Sequence, residues 1–247
     1  MRLFAGFVVL VAAGRAEAAA PPPAVDSRPL VWIVDGAGDL RGCSNAFTQA
    51  NMLAGGPLEL AVFPWSHGYR RLVLDQTDTK HAKAQGARLA QKIQERSRQE
   101  PGRRVIVVAH SAGAAVALAA ADNLPANSID RMILLAPSVS SGYDVRPALA
   151  ACRDGMDVFC SKKDWVALGF ITRVVGTADK RWAPAAGRHG FKVAADEEKL
   201  QQHFWSSDLA WTGHTGGHHG MHAPGFLQNY VFPIAEGTRG ASYQLAR

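Results

Sequence analysis

The chain is poor in cysteine, in clustered charge and in long apolar runs, and each shortage removes a class of protein. Its three cysteines, Cys43, Cys152 and Cys160, are too few and odd in number for a disulfide-stapled scaffold. At most one pair forms, with Cys152 and Cys160 suitably separated in sequence, and no Cys-x-x-Cys motif offers a redox or zinc site. The net charge of +6 is scattered; "YRR" and "SKKD" are the nearest approach to clusters. No basic stripe interleaved with aromatics is present, so no nucleic-acid partner is expected. The apolar run Leu3 to Ala13 is too short to cross a bilayer. No repeat period occurs, and no long apolar insertion reads as a lid. A hydrophobic fraction of 47% against 19% charged residues excludes a disordered chain.

Three stretches of organisation are present. Residues 1–20, "MRLFAGFVVLVAAGRAEAAA", pair a basic start with a short apolar core and a small-x-small site at Ala16 to Ala18. This is the pattern of a signal peptide, with cleavage expected after Ala18 or Ala20. The mature chain is then secreted or periplasmic, with no stable membrane insertion after cleavage. Residues 21–28 form a proline-rich N-terminal segment, and residues 29–247 are long enough for one sizeable domain.

Within that domain, apolar strands alternate with helices. "PLVWIVDG" and "LELAVFPW" read as buried strands, with a short helix between them over Asn45 to Leu53. Thr79 to Arg98 has the apolar stripe of an amphipathic helix, through Ala82, Leu89, Ala90 and Ile93. Strand Val105 to Ala109 runs into an alanine-rich helix, and "IDRMILLAPS" and "MDVFCS" supply two more strands. The pattern predicts an α/β fold, a mostly parallel central sheet with helices on both faces. Beyond Phe170 the pattern is mixed, and "GHTGGHHGMHAPG" is loop.

The segment "VIVVAHSAGAAVALAAA" places Ser111 where a buried strand meets a small-residue helix. A serine there is lifted out of the sheet edge by a sharp turn, which tolerates only small residues two positions either side; here these are Ala109 and Gly113. The helix that follows favours negative charge developing at its N-terminus. The bland alternative is a serine serving as a helix cap. With this elbow, the sequence resembles the α/β-hydrolase superfamily from Pro29 to about Pro233, in a compact form without an obvious large lid. The resemblance implies a nucleophilic serine, then an acid after a later strand, then a histidine near the end.

On that resemblance, "MDVFCSKKDWVA" maps the acid onto Asp164, with Asp179 in "GTADK" as runner-up and Asp144 third. The base comes from "WTGHTGGHHGMHAPGFLQNYVFP", which holds His214, His218, His219 and His222; the glycine-flanked match points to His218. The oxyanion donors are expected at the backbone N–H groups of Ala112 and of Ala37, with Gly36 close behind. Asp35 stands where the family's turn carries histidine. Spacings of four between His214, His218 and His222 would align a zinc site on a helix, but the glycines from Gly213 to Gly225 argue against that helix. No metal and no organic cofactor are expected. His110 is expected to line the pocket floor or core, and His67, His81, His189 and His203 to be surface or structural. Trp165, Phe170 and Trp182 are candidate pocket walls.

These residues imply a serine hydrolase with a Ser111–His218–Asp164 triad acting on a small-molecule carboxylic ester through an acyl-enzyme. Two other classes share the fold: an acyltransferase, and a catalytically silent binding protein.

Overall fold

The computed structural model describes residues 26–164, 176–192 and 198–238. Residues 1–20, where a signal peptide is expected, and Trp165 and Phe170 lie outside the described residues. Six strands build one sheet: β1 (Leu30–Val34), β2 (Glu59–Val62), β3 (Val105–His110), β4 (Ile129–Leu135), β5 (Cys152–Cys160) and β6 (Leu200–Phe204). Their order is β2-β1-β3-β4-β5-β6, and every pairing is parallel. The helices are α1 (Gly42–Leu53), α2 (Leu72–Thr77), α3 (Thr79–Gln99), α4 (Gly113–Ala121), α5 (Arg146–Ala151) and α6 (Ala186–His189). A final helical run, α7, passes from Pro224–Phe226 through a π turn at Leu227–Val231 to Phe232–Ala235.

Side chains alternate across a strand, so each strand feeds two cores. Val105, Val107 and Ala109 of β3 pack with Val34, Met132 and Leu134 against α3 and α4. Ile106 and Val108 pack with Val31, Ile33, Ile133 and Leu135 against α1 and α7. A sheet covered on both faces explains why Val105 to Ala109 of β3 and Met132 to Leu135 of β4 are apolar without alternation, every residue of both strands being buried. The same logic makes α4 alanine-rich on all sides: all nine of its residues are buried, and it is pressed between sheet and α3. Gly86 of α3 sits where a Cβ would come within 2.6 Å of the Ala119 Cβ, so the two helices meet almost backbone to backbone. On the opposite face α7 seals α1, with the Phe47 and Phe232 rings 5.7 Å apart and Gln228 Nε2 donating to the Ala50 carbonyl.

The rim at the strands' N-terminal ends is held by charge. The buried Arg103 guanidinium pairs with Glu59 at 2.5 Å and Glu100 at 2.6 Å, and its Nε donates to the Arg28 carbonyl.

The disulfide pairing open in the sequence is excluded by β5. Cys152 begins that strand and Cys160 ends it. At a strand rise of about 3.3 Å per residue they stand roughly 26 Å apart, far beyond disulfide reach. All three thiols are free and buried, and burial pushes those of Cys152 and Cys160 up to about 12.

Candidate active site

The strand order reverses beside β1: the chain goes outward to β2, then crosses back to place β3 on the other side. Open parallel sheets present their ligand crevice at such a switch point, outside the carboxyl ends of the strands. The turn after β1 and the turn after β3 flank that crevice. Ser111 occupies the second turn with φ of +53°, the left-handed region that costs a non-glycine residue about 1 kcal/mol or more. Tertiary hydrogen bonds hold the turn in place. Ser111 N–H donates to the Leu135 carbonyl, and the Ser111 carbonyl accepts from Ser138 N–H at 3.1 Å. Gly113 is required because a Cβ there would drive into the carbonyls of Val34 and Asp35. Ala112, expected to give one oxyanion donor, is the residue leading into α4.

The turn after β1, with Gly36 and Ala37, lies against this elbow. A Cβ on Gly36 would approach the Ser111 Cβ at 3.4 Å and His110 Nδ1 at 3.0 Å. Asp35 has a specific job where the family pattern carries histidine. Its Oδ1 accepts from the N–H groups of Cys43 and Ser44 at 2.9 and 3.0 Å, satisfying the first turn of α1, whose own N-cap side chain makes no bond. The Gly38 N–H is committed to Asp75 Oδ2 at 2.6 Å. Within this turn it is Gly36 that approaches the elbow. A cavity of about 200 Å³ opens between this turn and the end of β2, its lining including Asp35, Gly36, Asp39, Arg41, Trp65 and Ser66.

Asp75 is a positioning group that sequence reasoning missed. Its buried carboxylate accepts from Gly38 N–H, Ser66 Oγ at 2.5 Å and both the backbone and ring of His67, tying the β1 turn to the β2 loop. Burial alone would raise its pKa, but the bonds from His67, Ser66 and Gly38 outweigh that and hold it below the usual carboxylate value. Its only sequence signal was an acid in a short segment whose apolar residues, Leu72 to Leu74, are exposed.

Of the acid candidates, Asp164 meets a histidine: its Oδ2 lies 2.5 Å from His218 Nδ1, and the carboxylate is buried. Asp179 is committed elsewhere, accepting from Ser140 N–H at 2.9 Å and Ser140 Oγ at 2.5 Å. Asp144 pairs with Arg146 on the surface. The four histidines of the glycine-rich loop have separate fates. His214 is buried edge-on to Phe226, and its Nδ1 accepts from Gly216 N–H at 3.1 Å. Burial pushes its pKa down to about 4. His218 opens a 3₁₀ turn (His218–His222) and holds Asp164. His219 and His222 turn instead toward His110, with ring centroids 6.1 and 4.4 Å from it. The zinc reading of His214, His218 and His222 therefore has no geometric basis. The His110 ring also lies 4.7 Å from that of His218, so the residue preceding Ser111 touches the histidine that holds Asp164.

The loop is anchored to the ends of two neighbouring strands, β5 and β6. Ser161 Oγ donates to the Gly216 carbonyl at 2.5 Å, and Trp205 Nε1 donates to the His214 carbonyl at 2.8 Å. Of the other histidines, His67 pairs with Asp75, His81 meets the Trp65 carbonyl, His203 pairs with Asp157 and His189 is exposed. Trp182 is 74% exposed, which leaves it outside a pocket wall in the described structure.

Residues 81–202, from α3 to β6, match the family model described as "Serine aminopeptidase, S33". No curated protein matches the chain. Among solved structures, an uncharacterized protein from Bacillus cereus ATCC 10987 aligns at 15% identity and a TM-score of 0.51, covering 92% of this chain and 65% of that one. The chain thus spans just under two thirds of that protein's length. The Pyrococcus furiosus esterase Pf2001 aligns at 11% identity and a TM-score of 0.46, over 86% of this chain and 81% of that one. The catalytic core of acetyl xylan esterase from Trichoderma reesei aligns at 12% identity and a TM-score of 0.43, over 85% and 100% respectively.

Proposed function

We propose, on the premise that the chain is an α/β hydrolase, that it is an exported serine hydrolase cleaving small carboxylic esters through an acyl-enzyme. What carries this reading is the strained Ser111 at the end of β3, preceded by His110, whose ring lies 4.7 Å from that of His218, itself bonded to Asp164 at 2.5 Å. Ser111 Oγ attacks the acyl carbon while His218 takes its proton. Asp164 holds the ring in the tautomer that leaves Nε2 free to do so, and stabilises the imidazolium that forms. The N–H groups of Ala112 and Ala37 receive the oxyanion. The alcohol leaves with the proton from His218, and a water activated by the same ring then releases the acid.

The experiment is labelling of the purified protein with a fluorophosphonate, read by intact mass, with Ser111→Ala and His218→Ala alongside. One adduct on the wild type, absent from both variants, is the expected result. An adduct lost only in Ser111→Ala would move the base to another histidine. No adduct on folded wild type would leave the binding-protein reading in its place. A panel of p-nitrophenyl esters and aminoacyl p-nitroanilides then separates ester from peptide-like substrates. Addition of a competing alcohol separates hydrolysis from acyl transfer. Residues 1–20 carry the export reading, tested by the N-terminal sequence of the protein recovered from cell fractions.

A further inference from the structure

Three imidazoles next to this site do none of its proposed chemistry. One side-chain nitrogen from each of His110, His219 and His222 falls within 4.8 Å of the others. His110 is 4% exposed, and its Nε2 is buried with no hydrogen-bond partner among the described residues; the Nε2 of His222 is in the same position. A buried imidazole nitrogen without a partner forfeits a hydrogen bond that water would supply. Two rings that each carry such a nitrogen stand in one cluster with an exposed third, a set of ligands lacking a common partner.

We propose that His110, His219 and His222 form a binding site for one borderline divalent transition-metal ion, of which Zn²⁺ is the type. Neutral imidazole is the natural ligand of such ions, and three of them leave a fourth position for water at the exposed side. Burial, followed by the neighbouring histidines, holds His110 well below the usual histidine range and His222 at about 4, so both rings are neutral and ligand-ready at ordinary pH. Nitrogens on a tetrahedral zinc stand about 3.3 Å apart for bonds of about 2.05 Å. The present spread of up to 4.8 Å therefore contracts by up to about 1.5 Å on binding, to which the exposed His219 ring contributes by swinging inward. The ion would bridge the end of β3, one residue before Ser111, to the 3₁₀ turn, one residue after His218. The set joins a strand end to a distant loop, so spacing along the chain does not display it.

The test is isothermal titration of the purified protein, carrying no polyhistidine tag, with Zn²⁺. Co²⁺ as a replacement ion gives the visible bands of a low-coordinate histidine site. One equivalent per chain and a raised thermal midpoint are expected. His219→Ala, at an exposed position, weakens binding roughly tenfold or more, and His219→Ala/His222→Ala abolishes it and the Co²⁺ bands. His189→Ala retains both. Ser111→Ala also retains them, so the site is tested separately from the serine's reactivity. Absence of binding to the wild type, or binding that survives in the double variant, would overturn the proposal.

Discussion

At the scale of single residues, two aspartates that look alike in sequence are separated by what they hold. Asp164 is buried against His218, whereas Asp179 spends both its oxygens on Ser140, in the segment after β4. Removing the charge at Asp164 leaves the imidazole free to take the wrong tautomer. Asp164→Asn is therefore expected to lower kcat on an activated ester by about 10³- to 10⁴-fold with little change in KM. Asp179→Asn keeps kcat within a few-fold while lowering the urea midpoint, because a loop bond is lost. Steady-state kinetics on the two variants side by side decides which acid serves the histidine. Asp35 teaches a related lesson. It departs from the family's turn because its oxygen caps α1, a role visible only once the turn and the helix start are seen together.

Among the elements, legibility followed burial. β3 and α4 are buried throughout, so their composition announced them, and their bounds fell close to those read from the sequence. β6, "LQQHF", was missed because it lies at the sheet edge with every residue partly or wholly accessible, and so carries no apolar run. α2 was hidden for the opposite reason, its leucines and valine being exposed. The close meeting of α3 and α4 makes a prediction against helix propensity. Alanine in place of a helical glycine gains up to about 1 kcal/mol. At Gly86, however, the new Cβ would lie 2.6 Å from the Ala119 Cβ and 2.8 Å from backbone atoms of residues 119 and 120. Overpacking of that kind costs about 1–3 kcal/mol. Gly86→Ala is expected to lose about 1–2 kcal/mol net, measured by urea unfolding. A gain would mean that α3 moves away from α4 without cost.

For the whole molecule, acid is the expected weakness, through two groups and two windows. His214 is neutral in the fold, accepting from Gly216 N–H with a pKa pushed down to about 4, while the unfolded chain takes up a proton near pH 6.5. Its contribution is complete above pH 6.5 and is lost as pH falls toward 4, at about 1 kcal/mol per pH unit. Asp75, held below the usual carboxylate value, contributes fully above about pH 4 and is lost as pH falls through its depressed value. Urea unfolding across this range should show stability falling from about pH 6.5 downward. His214→Asn, which keeps an acceptor but no titration there, should flatten the upper part of the slope.

The seal of α7 over α1 sets the timing of biosynthesis. Phe47 and Phe232 are partners separated by most of the chain, and Arg104 Nε at the start of β3 likewise donates to the Ala235 carbonyl. A polypeptide emerging from the ribosome N-terminus first makes the Phe47 face early and its cover last. Until residue 232 has been made, that face is open to any other sticky surface nearby. The chain thus remains a client for chaperones until its own residue 232 is available to close that face, and commits to its native state only afterwards.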